Sequence, residues 1–156
     1  MSADSPAGGE ASGATPSAAT GSAPGAVAPA AAVDTGSILA IPFSFAGTLT
    51  PGLLSMRFPL IGTWTFLHLS IVCVKTSAGA DIVLDVLYNT NSIYGSPAAR
   101  PRVAAGAHEG TSVSPPVVTH FTGRPGNPGV FACGIDSVGS ASPGADLTLA
   151  LYLTSA

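Results

Sequence analysis

The chain has 156 residues, of which 46% are hydrophobic and only 8% charged, with a formal net charge of −3. That much apolar material suffices for one core, and the five scattered basic residues, Arg57, Lys75, Arg100, Arg102 and Arg124, give no electrostatic footprint for a nucleic-acid backbone. No apolar run approaches the roughly 18 residues of a membrane helix; the longest, Trp64 to Val74, is interrupted by Thr65, His68 and Ser70.

In chain order, the first element is an arm. All but six of residues 1–37 are Ala, Gly, Ser, Pro or Thr. Such a segment buries too little side chain to offset the entropy of ordering it, so a flexible, extended arm is expected over 1–37. Stretched out, it spans roughly 120 Å at about 3.3 Å per residue. The first basic residue is Arg57, so the positively charged start of a secretory leader is missing and cytosolic synthesis is expected.

From residue 38 the pattern changes to short β-branched and aromatic runs bounded by Gly, Pro, Asn or Ser. Nine candidate strands follow: Ile38 to Phe45, Leu53 to Leu60, Trp64 to Lys75, Asp81 to Tyr88, Ser92 to Tyr94, Pro101 to Ala104, Val117 to Phe121, Val130 to Val138 and Leu147 to Leu153. Two-residue alternation is clearest in Trp64 to Ile71 and Ile82 to Leu87, which divides their side chains between two faces. No segment combines a 3.6-residue period with caps, and the alanine-rich stretch is broken by Pro24 and Pro29. The predicted fold of residues 38–156 is therefore all-β: a single antiparallel β-sandwich, jelly-roll-like, of eight to nine short strands.

One pattern recurs. Ser77-Ala78-Gly79-Ala80-Asp81 and Ser142-Pro143-Gly144-Ala145-Asp146 are separated by 65 positions, and each runs into an apolar strand. In such a corner Gly79 and Gly144 take positive φ without a Cβ clash, and Asp81 and Asp146 accept hydrogen bonds from nearby backbone N–H groups as the strand begins. Ser77, Gly79, Asp81, Ser142, Gly144 and Asp146 are thus expected to be structural turn residues.

Reactive constellations are missing from the pattern. His68, His108 and His120 are widely spaced and no H-x-x-x-H or C-x-x-C pair accompanies them, which predicts no metal. No G-x-S-x-G elbow marks a nucleophilic serine, and the scattered acids Asp81, Asp85, Glu109, Asp136 and Asp146 do not form a dedicated carboxylate pair. Cys73 and Cys133 fall in apolar strands and read as buried free thiols, with a disulfide as the alternative. The loop Gly123 to Gly129 lacks the lysine and the helix of a phosphate-binding loop. No catalytic, metal or cofactor site is expected.

Several segments carry a family resemblance: Asp85-Val86-Leu87-Tyr88-Asn89, Ser92-Ile93-Tyr94, Arg100-Pro101-Arg102-Val103-Ala104-Ala105-Gly106, Ile135 to Ser140, and Pro143 to Leu149. In this order they resemble the C-terminal β-sandwich module of minor tail and other virion structural proteins of tailed phages of actinobacteria, over about residues 47 to 153. The chain departs from that pattern at Asn89-Thr90-Asn91, where Asn-Gly is usual, and in the expanded Gly123 to Gly129 turn. The resemblance implies a non-enzymatic virion protein located on the particle, with no catalytic residues to transfer. A lone module behind an arm is expected to be a capsid decoration protein or short fibre that self-associates, as a homotrimer, and docks on major capsid or tail proteins. The alternatives are a minor tail protein or a host-adhesion module that binds surface glycan through Trp64, Tyr88, Tyr94 and Tyr152.

Overall fold

A computed structural model describes residues 36–156. Residues 1–35 of the predicted arm lie outside the described residues. The strands are β1 (Ile38–Thr48), β2 (Gly52–Leu60), β3 (Gly62–Lys75), β4 (Ile82–Tyr88), β5 (Asn91–Ser92), β6 (Pro101–Val103), β7 (Glu109–Ser112), β8 (His120–Gly123), β9 (Gly129–Ser137) and β10 (Ala145–Ser155). One 3₁₀ turn, Pro97–Ala99, is the only helical element among the described residues. The fold is all-β and every named strand pair is antiparallel.

The pairing is nested. β1 pairs β10, β2 pairs β9, β3 pairs β8 and β4 pairs β6, as if one long hairpin had its tip between β4 and β6. Wrapping that hairpin around the core adds β10 against β3 and β9 against β4. The outcome is two four-stranded halves, β1-β10-β3-β8 and β2-β9-β4-β6, which is the jelly-roll order. The short β7 pairs β3 on one side and β6 on the other, so the halves form one nearly closed sheet instead of two separate layers.

The alternation read from the sequence explains which side faces inward. Phe43 on β1, Ile71 and Cys73 on β3, and Leu147, Leu149, Leu151 and Leu153 on β10 are buried, and face Ile82, Leu84, Val86, Phe131 and Cys133 of the other half. Tyr88, Phe121 and Phe131 form an aromatic cluster with ring centroids 4.8 to 5.1 Å apart, and the Tyr88 hydroxyl donates to the Thr122 carbonyl at 2.6 Å. Gly129 lies against the Tyr88 ring, where a Cβ would collide.

Several strands differ from the sequence expectation. β1, β3 and β10 are long, at 11, 14 and 11 residues. Ser92 to Tyr94 is a strand only as far as Ser92; Ile93 then turns inward, fully buried, and its carbonyl accepts from Val117 and Val118 N–H. Val117 and Val118 are therefore loop residues with exposed side chains, and pairing with β3 begins at His120. β7, Glu-Gly-Thr-Ser, was unexpected because it contributes no buried apolar residue; it forms because the β3 and β6 backbones offer partners on both sides.

Candidate interaction surface

The two repeated corners meet. One carries the chain from β3 to β4 and the other from β9 to β10, so both make the crossing from one half of the jelly roll to the other. They lie side by side, bridged between Ala78 and Ser142. Ala78 N–H donates to the Ser142 carbonyl at 2.9 Å, and the Ala78 carbonyl accepts from Ala141 N–H at 3.0 Å and Ser142 N–H at 3.2 Å. Gly79 has φ +84° and Gly144 φ +83°; a Cβ on Gly79 would lie 2.9 Å from Ala141 N, and one on Gly144 would lie 2.9 Å from Lys75 O. Ser77 is buried and donates to the Ala80 carbonyl at 3.1 Å, while Ser142 takes part through its backbone.

The two aspartates find their donors far along the chain, not in the adjacent turn. Asp81 Oδ1 accepts from Ala105 N–H at 3.1 Å and Asp146 Oδ1 from Gly47 N–H at 2.7 Å. Asp146 itself sits at φ +54°. Asp81 therefore ties the turn at Ala105 to its crossing and Asp146 ties the bulged end of β1 to the other, which the sequence did not reveal because the donors are 24 and 99 positions away.

A second polar cluster sits on the outer side of β4 and β9. Arg100 Nη2 lies 2.9 Å from Asp85 Oδ2, and its Nη1 pairs with Asp136 Oδ2. Ser92 Oγ donates to Asp85 Oδ1 at 2.6 Å, so both ends of the loop from Ser92 to Arg100 are fastened to one carboxylate that is 6% exposed. Burial pushes the Asp85 carboxyl up from its ordinary range, and the Ser92 hydroxyl and the Arg100 charge oppose that rise only in part. Tyr94, in the same loop, is held by Ser112 Oγ at 3.1 Å, and burial raises its phenol to about 12. Arg102 lies 3.8 Å from Asp81. The cluster braces loops, and at its margins Arg102 and Ser92 line open grooves of about 570 and 300 Å³.

The histidines are not brought together with acids. His108 Nδ1 meets the Cys73 carbonyl at 2.9 Å, His120 Nδ1 meets Thr65 Oγ1 at 3.1 Å, and His68 stacks on Tyr152 with centroids 5.6 Å apart. Among the described residues no hydrogen bond or ion pair joins a histidine to a carboxylate, and no cluster of three metal-ligating side chains occurs. Cys73 and Cys133 are free and buried, on strands of opposite halves, and burial raises both thiols. Of the four aromatics considered for glycan stacking, Tyr94 is buried, Tyr88 belongs to the core cluster and Trp64 Nε1 donates to the Ile61 carbonyl at 2.7 Å. Tyr152 alone of the four presents its ring on the outer side of the sheet, against His68.

That outer side is the most distinctive surface of the molecule. The register of β1, β10 and β3 sets twelve outward side chains in four rows: Ser44-Thr148-Val72, Pro42-Ala150-Ser70, Ala40-Tyr152-His68 and Ile38-Thr154-Thr65. None of the twelve is Asp, Glu, Lys or Arg. Of the ten charged residues between 36 and 156, five (Asp81, Asp85, Arg100, Arg102, Asp136) are tied into ion pairs on β4, β6, β9 and their loops. Alongside β3 the face runs into an open groove of about 570 Å³ between His68, Ser70 and Val72 and an opposing wall of Arg102, Glu109, Thr111 and Val113, where charge returns. Its neighbour, about 240 Å³, is walled by Leu67, Pro115 and Pro116. Leu67 is half exposed, because it is the extra residue of a bulge where the β3–β10 register shifts between Tyr152 and Leu153.

The scarcity of charge in these strands, with Lys75 closing β3 and Asp146 near the start of β10, is visible in the sequence, but which strands are neighbours is not, so the continuous face was not foreseen. Comparison of the chain with known protein families, with curated proteins and with solved structures finds no match.

Proposed function

We propose that this chain is a non-enzymatic structural component of a phage virion, a capsid decoration protein or short fibre whose copies associate with one another and dock on the particle. The observation that carries the proposal is the outer face of β1, β10 and β3, whose four rows from Ser44-Thr148-Val72 to Ile38-Thr154-Thr65 hold no charged side chain, on a jelly roll where Asp85, Arg100 and Asp136 are engaged in bracing a loop. A fold by itself does not imply a function. The sequence resemblance to virion modules supplies the setting, and a wide uncharged face supplies the means of packing against protein. Of the other readings, a minor tail protein would use the same surface. Glycan adhesion has less support, since three of its four aromatics are committed to the core or to backbone contacts.

The test is addition of purified chain to particles assembled without it, followed by sedimentation of the particles. Saturable co-sedimentation, together with detection of the chain in purified wild-type virions by mass spectrometry, is the expected result. Particles that neither contain nor bind the chain would overturn the reading.

A further inference from the structure

We draw no further inference here: the strongest candidate, the open groove along β3 that runs from the wall of Arg102, Glu109 and Thr111 to Leu67, Pro115 and Pro116, carries nothing because nothing in the structure shows what covers it.

Discussion

Ala78 and Ser142, 64 positions apart, exchange backbone hydrogen bonds of 2.9 and 3.2 Å, so the two copies of the repeated corner buttress each other. The glycines make this approach possible, since each carries positive φ and each faces backbone atoms that a Cβ would crowd. Gly144→Ala is therefore expected to lower stability by about 2 kcal/mol or more, combining the left-handed backbone cost with displacement of the Lys75 carbonyl. Gly106→Ala, also at positive φ but with open space around the new methyl, should cost only about 1 kcal/mol. Urea denaturation of the two variants measures the difference; equal losses would show that the corner contact contributes nothing.

Arg100 joins Asp85 and Asp136 across two strands, and its removal leaves the buried Asp85 carboxylate with Ser92 as its remaining side-chain partner. Arg100→Ala is expected to lose about 2 to 3 kcal/mol, below the full cost of breaking a buried pair because the arginine is one-fifth exposed. Arg100→Met, which restores packing without charge, should recover part of that loss only when combined with Asp85→Asn. A double-mutant cycle on chemical denaturation tests the coupling.

The raised Asp85 carboxyl makes a statement about pH. Its folded form holds its proton more tightly than the unfolded chain, so its contribution is fully present below the unfolded value near 4 and declines as pH rises through the raised folded value. Wild-type stability relative to Asp85→Asn should consequently fall as pH rises above about 4. A difference that instead rises with pH above about 4 would mean the Arg100 pairing outweighs burial.

Tyr94 behaves likewise at the alkaline end. Its phenol is raised to about 12, so the folded state, with its Ser112 bond, keeps the proton that the unfolded chain begins to lose near 10. Tyr94→Phe should cost about 1 kcal/mol at neutral pH. That gap should close as pH climbs from about 10 to 12, read from melting temperatures of both proteins.

Both thiols are buried and raised, so the native chain should not react with an aromatic disulfide reagent on the timescale of minutes, and should release two equivalents in guanidinium chloride. Rapid reaction of either thiol in the native state would show that β3 or β9 opens locally.

The strands that bury one face were legible in the sequence because alternation in Ile82 to Leu87 or Leu147 to Leu153 reports a half-buried environment directly. β7 was not, since Glu109 to Ser112 is held by backbone pairing on both sides and carries no apolar signal. The corner glycines could be assigned from local chemistry, yet the donors to Asp81 and Asp146 could not, because they come from the turn at Ala105 and from Gly47 of β1, brought close only by the wrapping of the hairpin.

By itself, then, the sequence determined an all-β domain, its low charge and its repeated corner, all properties of residues within a few positions of each other. The tertiary structure alone decided that both corners are the crossings between the halves, and that Pro42, Ala150 and Ser70 lie in one row beside Ala40, Tyr152 and His68. Strand order is set by which apolar faces meet across the core after loops of many residues have closed. A single chain's local pattern specifies the strands and leaves their neighbours to that long-range packing.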